Sequence, residues 1–191
     1  MNPVENKIAV LGLDNVGKTS LIRRLLDKSY NPSVFLPRTH GIEVNETILE
    51  NGKEIIPVMY IDIGGLKVFQ VTLWLELVQS DIKAIIYMVD VGTNSRIHQD
   101  LSAFRIVVEN TKVPILVLGN KYDIYEEIEF PMSTNRLFEI LDIVEHKIND
   151  PFREIMVLPI SVKTGLNVDL INNWLRKILS KKSKTNIFEQ F

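Results

Sequence analysis

One short stretch constrains this chain more than any other. Residues 12–20, GLDNVGKTS, fit the pattern G-x-x-x-x-G-K-[ST], in which backbone N–H groups and a lysine surround phosphate oxygens. The stretch lies between a short apolar run, residues 7–11, and a segment in which leucine and isoleucine recur at helical spacing. A strand, a glycine loop and a helix in this order are the context that the pattern requires, so the sequence predicts a phosphate-binding loop.

Each residue type in this loop has its own task. Gly12 and Gly17 lack a β-carbon, so the backbone can approach a phosphate closely and direct successive N–H groups at it. The start of the following helix adds a partial positive charge. Lys18 can reach the terminal phosphates, and the Thr19 hydroxyl can ligate magnesium.

Length and composition indicate one ordinary domain. The chain has 191 residues, of which 46% are hydrophobic, enough for a substantial core. We assign residues 1–182 to a single domain and residues 183–191 to a short C-terminal tail. The net charge of -2 gives no overall attraction for nucleic acid, and the lack of cysteine excludes disulfides and thiolate metal sites.

The sequence also predicts weak membrane attachment at most. No apolar run approaches the roughly 20 residues that span a bilayer, and Asn2 stands where myristoylation requires glycine. The lysines at positions 181, 182 and 184 could support only weak, salt-sensitive contact with an anionic surface. We therefore expect a monomeric, cytoplasmic protein that is at most peripheral at membranes.

The pattern along the chain predicts an α/β fold. Asn51-Gly52 lies between two β-rich runs, 41–49 and 54–63, which indicates a hairpin. Runs of continuous apolar residues are typical of strands that helices cover on both faces; they lie at 84–89, 113–118 and 155–160, with helical patterns at 66–79, 96–109, 132–146 and 168–181. We expect a six-stranded, mostly parallel sheet with one antiparallel strand and helices on both faces.

Two further motifs address the choice of base. Residues 120–123, NKYD, follow a predicted strand, where ligands bind in such sheets. The Asp123 carboxylate can accept two hydrogen bonds from guanine, whereas adenine lacks both donors in that arrangement. The Lys121 stem can lie along the base, and Asn120 can tie this loop to the phosphate loop. In a second turn, residues 161–163, a backbone N–H can reach the guanine O6.

Together with Thr39 and the sequence DIGG at 62–65, these motifs resemble the small GTPases of the Ras superfamily, and within it the Arf/Sar-like branch. The resemblance covers roughly residues 7–179. It implies a P-loop G domain that binds GTP or GDP with magnesium, in the setting of membrane trafficking and signalling. It also implies that Thr39 ligates magnesium and contacts the γ-phosphate, that Asp62 holds the metal through water, and that the Gly65 N–H contacts the γ-phosphate.

The motifs and the resemblance give three sets of candidate residues. Nucleotide contacts are expected from Asp14, Asn15, Val16, Gly17, Lys18, Thr19, Ser20, Thr39, Gly65, Asn120, Lys121, Asp123, Ser161, Val162 and Lys163. Metal contacts are expected from Thr19, Thr39 and Asp62. Catalysis would depend on Lys18, Thr39, Gly65 and the residue at position 66. Effectors, exchange factors and activating proteins would bind through switch I, residues 28–41, and switch II, residues 64–79, where apolar residues exceed what a core can take.

The chain departs from the family pattern at the catalytic position. Members usually carry glutamine directly after the second switch glycine, where it orients the attacking water; here the residue is Leu66. Leucine has no donor or acceptor, so we expect weak intrinsic hydrolysis. Ile42 and Ile61 also replace the aromatic residues that Arf-like proteins usually carry on the hairpin.

Three interpretations of the chain remain open. The first is a GTP-binding switch with slow hydrolysis, and the second is a GTP-locked module that recruits partners without useful catalysis. These two interpretations differ in whether useful hydrolysis occurs with Leu66 at the catalytic position. A third, a P-loop kinase or another P-loop NTPase, is disfavoured by Asp123 and by the turn at Ser161.

Overall fold

The structure is a computed structural model that describes residues 5–32, 39, 41–64, 67–92, 96–127, 137, 139, 141–143, 146 and 150–185. The strands are β1 (Asn6–Gly12), β2 (Ile42–Asn51), β3 (Glu54–Ile63), β4 (Ala84–Asp90), β5 (Ile115–Asn120) and β6 (Ile155–Pro159). The helices are α1 (Lys18–Leu26), α2 (Lys67–Val78), α3 (Ile97–Glu109) and α4 (Val168–Thr185), and a 3₁₀ turn spans Tyr122–Glu127.

The six strands form one sheet in the order β2-β3-β1-β4-β5-β6. Strands β2 and β3 pair antiparallel around the Asn51-Gly52 turn, and each of the other neighbouring pairs is parallel. Gly52 has φ +64°, as the turn requires. The predicted mostly parallel sheet with one antiparallel strand is therefore confirmed.

Two cores lie on opposite faces of the sheet, because successive side chains of a strand point to opposite sides. In β1, Ile8 and Val10 pack with α1 and α4. Ala9 and Leu11 pack instead with α2 and α3. Helices cover both faces, and this explains why β4 and β5 are apolar at nearly every position rather than at every second one.

The structure differs from the sequence patterns at the edges of the fold. The run around β6 suggested burial on both faces, yet β6 is an edge strand and Met156 is 37% exposed. Helix α4 continues to Thr185, four positions beyond its predicted end, because lysine, serine and threonine there do not break a helix. The predicted helix at 132–146 lies mostly outside the described residues.

The parallel strands bring the predicted motifs to one edge of the sheet. The phosphate loop follows β1, Asp62 lies near the end of β3, Asn120 ends β5, and Ser161 follows β6. Since these strands run in the same direction, their carboxyl ends lie at one edge of the sheet, where ligands bind in folds of this type. Motifs more than a hundred positions apart are therefore neighbours.

Candidate functional site

The phosphate loop has the backbone shape that its glycines predict. Asn15 has φ 61° and Gly17 has φ 99°, and turns of this kind direct successive N–H groups into one concave surface. A β-carbon on Gly17 would lie 2.6 Å from the Nδ2 atom of Asn120, and one on Gly12 would lie 2.3 Å from the carbonyl oxygen of Met88. Both glycines are thus required by close packing as well as by backbone angle.

The Lys18 ammonium lies beneath this loop and is almost fully buried. Its Nζ donates to the carbonyl oxygens of Gly12 at 3.0 Å and Leu13 at 2.8 Å. Burial lowers the pKa of Lys18, while the nearby carboxylates of Asp62 and Asp14 raise it in part. The two carboxylates offset only part of the cost of burying the ammonium charge. The Lys18 ammonium therefore attracts a further anion, as a phosphate-binding lysine must.

Three oxygen-bearing side chains meet beside Lys18. The Thr19 hydroxyl donates to Asp62 Oδ2 at 2.5 Å, and its oxygen lies 2.7 Å from the Thr39 hydroxyl oxygen. Thr39 Oγ1 lies 3.4 Å from Asp62 Oδ2. The first helix, switch I and strand β3 each supply one of these groups, so the cluster exists only in the folded chain.

The cluster fits a magnesium ion. Asp62 is fully buried, and its Oδ1 atom has no hydrogen-bond partner among the described residues. Burial raises the pKa of Asp62 despite the hydrogen bond from Thr19 and the charge of Lys18, so the carboxylate is short of positive charge. One carboxylate with two hydroxyls is the oxygen-rich, incomplete ligand set that magnesium shares with phosphates and water.

Asn120 links the two ends of the candidate site. Its Nδ2 donates to the carbonyl oxygen of Val16 in the phosphate loop at 2.8 Å, and its Oδ1 accepts from the backbone N–H of Val162 at 3.0 Å. Asn120 is buried, so both bonds are shielded from water and hold their geometry. The phosphate loop and the turn after β6 are thereby fixed relative to each other.

Asp123 is oriented by the turn after β6. The Ser161 hydroxyl donates to Asp123 Oδ1 at 2.7 Å and accepts from the Thr164 N–H at 3.0 Å. The exposed Lys163 ammonium lies 3.6 Å from Asp123 Oδ2. The carboxylate therefore has a fixed orientation, which is a condition for accepting two parallel hydrogen bonds from a planar base.

Lys121 has a partner that the sequence did not indicate. Its Nζ donates to Asp90 Oδ2 at 2.6 Å, and Asp90 Oδ1 accepts from the Gly92 N–H at 2.9 Å. Lys121 also has φ 67°, which is uncommon for a residue with a side chain. The end of β4 thus holds the stem that was predicted to lie along the base.

Sequence reasoning also missed Arg96. Its guanidinium donates to the carbonyl oxygen of Asp14 at 2.9 Å and to Asp14 Oδ1 at 2.5 Å. The Asp14 side chain of the phosphate loop therefore pairs with the start of α3. No local signal marks Arg96, because it is 82 positions from its partner.

The other predicted residues have mixed outcomes. Val16 is buried, Asn15 is exposed, and Ser20 is half-buried in the first turn of α1. Gly65 and Leu66 lie outside the described residues, as does the half of switch I that comprises residues 33–38 and 40. In α2, Trp74 and Val78 are buried, whereas Leu73, Leu75 and Leu77 are half-buried.

Comparison with known proteins adds a family match. The family model described as the ADP-ribosylation factor family matches residues 2–179. The chain is 27% identical over 176 residues to ADP-ribosylation factor-like protein 8c of Arabidopsis thaliana, covering 91% of this chain and 87% of that protein. It is 31% identical over 130 residues to ADP-ribosylation factor-related protein 1 of Rattus norvegicus, covering 65% and 63%.

A solved structure shares the fold. The Arl6 (BBS3) small GTPase from Trypanosoma brucei, with the bound nucleotide analogue GppNp, superposes with a TM-score of 0.70 at 24% identity and covers 92% of this chain and 98% of that one. Among the residues described, no helix has the length and apolar character needed to cross a membrane.

Proposed function

The chain belongs to the ADP-ribosylation factor family of small GTPases, and we propose that it is a guanine-nucleotide switch that recruits partner proteins in its GTP-bound form and hydrolyses GTP slowly. The family implies a GTP-binding switch. Slow hydrolysis, the residues that hold the nucleotide and the recruitment of partners are our proposals.

One observation carries the proposal. Asn120 bonds both to the phosphate loop and to the turn after β6, through Val16 and Val162. These are the two regions that a guanine nucleotide would touch with its phosphates and its base. Because the protein's own groups make both bonds, the distance between the two regions is preset, and little ordering would be needed on binding.

The proposed base site centres on Asp123. Its carboxylate would accept from the guanine N1–H and 2-amino group, and Ser161 supports it from behind. Lys121 and Lys163 would flank the ring. A site built to accept two donors strongly rejects a base that lacks them, since the carboxylate would then be left unpaired.

The proposed metal site supports the switch. Thr19, Thr39 and Asp62 would hold magnesium, which neutralises charge on the terminal phosphates when it is bound. Thr39 comes from switch I, and Asp62 lies just before switch II. Loss of the γ-phosphate would remove the contacts that hold both segments, which is the order–disorder transition of such switches.

We further propose that partner proteins bind to switch I and switch II. Effectors, exchange factors and activating proteins would bind across residues 28–41 and 64–79. The half-buried leucines of α2 at positions 73, 75 and 77 supply apolar surface for such contacts.

Slow hydrolysis would follow from Leu66. The in-line water needs a polar group to hold it, and leucine offers none. Loss of one preorganised polar group costs roughly 2.7 to 4 kcal/mol in such sites, or about a hundredfold or more in rate. Lys18 and magnesium would still bind the phosphates, so GTP affinity would remain.

The test compares wild type with Leu66→Gln. We expect purified wild type to contain guanine nucleotide, and Leu66→Gln to raise single-turnover GTP hydrolysis about a hundredfold while GTP affinity changes only a few-fold. The matched control is Leu170→Gln in α4, where a 37% exposed leucine lies away from the site. Tight binding of ATP by wild type would refute the guanine assignment.

The same experiment distinguishes a slow switch from the alternative, a GTP-locked module. A GTP-locked module would retain GTP without measurable turnover in wild type, and Leu66→Gln would leave the rate unchanged. A slow switch would turn over detectably, and its rate would rise with the glutamine.

A further inference from the structure

The phosphate loop contains one acidic side chain, Asp14, and one cation, Lys18. A carboxylate beside a site for several phosphate charges is electrostatically unfavourable, because like charges repel each other at this range. The structure pairs this carboxylate with Arg96, whose guanidinium bonds to both Oδ1 and the carbonyl oxygen of Asp14. Both side chains are 27% exposed, so water screens the pair only in part.

The pair lies within electrostatic range of the phosphate-binding lysine. After burial and the charge of Asp62, the next influences on the pKa of Lys18 are Asp14, which raises it, and Arg96, which lowers it. Charges that act on the Lys18 ammonium also act on a phosphate bound to that ammonium. Asp14 would therefore repel the terminal phosphates, and Arg96 would offset the repulsion.

The contact with the carbonyl oxygen has a geometric consequence. The Asp14 carbonyl and the Asn15 N–H belong to one planar, trans peptide, so they point in opposite directions. Arg96 fixes the carbonyl at 2.9 Å and thereby fixes the direction of the Asn15 N–H. This N–H belongs to the curved part of the loop, where Asn15 has φ 61°.

We propose that Arg96 is a positioning residue of the nucleotide site, which cancels the charge of Asp14 next to the terminal phosphates and holds the Asp14–Asn15 peptide in its phosphate-accepting orientation. This inference rests on the proposed function, because it gives Arg96 a supporting role at the proposed nucleotide site. Arginine suits the task since its planar fork can contact a carboxylate and a carbonyl at once.

The test measures GTP and GDP affinity in four proteins: wild type, Arg96→Gln, Asp14→Asn and the double variant. We expect Arg96→Gln to weaken GTP binding about tenfold and GDP binding less, because GTP places more charge near the uncompensated carboxylate. Asp14→Asn should bind GTP more tightly than wild type, because it removes the repelling carboxylate and leaves the charge of Arg96 in place. The double variant should recover the part of the deficit that comes from charge, since neither charge remains, and should keep the part that comes from the lost contact with the Asp14 carbonyl oxygen.

The matched control is Arg105→Gln. Arg105 also lies on α3 and pairs with an aspartate, Asp142, but away from the candidate site. Its loss should leave nucleotide affinity unchanged. The loss of GTP affinity in Arg96→Gln should also become smaller at high salt. Salt screens charge repulsion but would not restore a changed loop conformation.

The outcomes separate the possible failures. If Arg96→Gln binds GTP as wild type does, Arg96 has no positioning role. If the double variant is as weak as Arg96→Gln, charge cancellation is wrong and the inference is overturned in the form given. If wild type itself binds no guanine nucleotide, it is the proposed function that fails.

Discussion

The two ends of the candidate site differ in how far the protein satisfies its own polar groups. At the base end, Asn120, Asp123 and Ser161 are linked by hydrogen bonds of 2.7 to 3.0 Å to one another or to nearby backbone. At the proposed metal end, Asp62 is fully buried, and no described residue forms a hydrogen bond with its Oδ1. The polar groups of the proposed base end are bonded to one another or to backbone, whereas the proposed metal end leaves one carboxylate oxygen without a partner among the described residues.

This difference suggests how a switch can combine tight binding with a reversible conformation. Under the proposed function, the base end would hold the nucleotide in either state, because its contacts would not depend on the γ-phosphate. The proposed metal end would be most stable when a cation and the terminal phosphate lie beside the Asp62 carboxylate. Under this proposal, the Asp62 carboxylate lies where the conformation would respond to the ligand.

Asp123→Asn should break the base end and have the largest effect. The amide NH₂ would face the guanine donors, so GTP affinity should fall about 10³-fold or more. Xanthosine triphosphate, which has a carbonyl at that position, should bind relatively better. Competition binding with both nucleotides measures the change. Asp169→Asn, an exposed acidic residue of α4, is the control, and equal GTP binding by Asp123→Asn and wild type would contradict the assignment.

Asp62→Asn should break the metal end alone. Wild-type affinity for GTP should increase when magnesium is added, and the variant should lose about ten- to a hundredfold of that gain. In the presence of EDTA the two proteins should bind alike, because only the metal needs the carboxylate charge. Titration of GTP with and without magnesium measures both quantities. A full magnesium effect in Asp62→Asn would exclude this residue from the metal site.

Asp100→Asn should have the smallest effect of the three substitutions. It compares Asp62 with a second buried aspartate. Asp100 at the start of α3 is also buried, with an Oδ1 that has no partner among the described residues, and burial together with Asp90 raises its pKa to about 7 despite Arg96. The folded state therefore binds a proton that the unfolded chain has lost above its ordinary value of 3.8. Wild-type stability should fall as the pH rises between these two values.

Asparagine at position 100 removes this titration. We expect Asp100→Asn to raise the unfolding free energy relative to wild type by about 2 kcal/mol more at pH 8 than at pH 5. Urea unfolding at both pH values measures this difference. Magnesium should not change it, in contrast to Asp62. A pH-independent difference would mean that Asp100 is ionised throughout.

The sequence determined the motifs, the fold class and the family. The phosphate loop, the Asn51-Gly52 hairpin and the apolar strands are local patterns in which each residue type reports its own backbone and burial preference. The order of these patterns then allowed few topologies, because parallel strands require crossover helices. The fold and the family were predictable for this reason.

The contacts that support the candidate site residues are determined only by the tertiary structure. Arg96 reaches Asp14 across 82 positions, and Asn120 reaches Val16 across 104. Asn120 belongs to a motif that indicates its role, whereas Arg96 and the Lys121–Asp90 ion pair carry no local signal. A charged residue near a helix start is ordinarily solvated, so nothing in its neighbourhood distinguishes it from a surface residue.

The same limit applies to burial. Asp100 has the sequence context of an exposed first-turn acid, and Met156 that of a covered strand residue, yet Asp100 is 3% exposed and Met156 is 37% exposed. Hydrophobic periodicity reports which face of an element turns inward. How far the neighbouring layer extends over that face depends on where helices end and which strands lie at the edge, and only the packing of distant segments sets this.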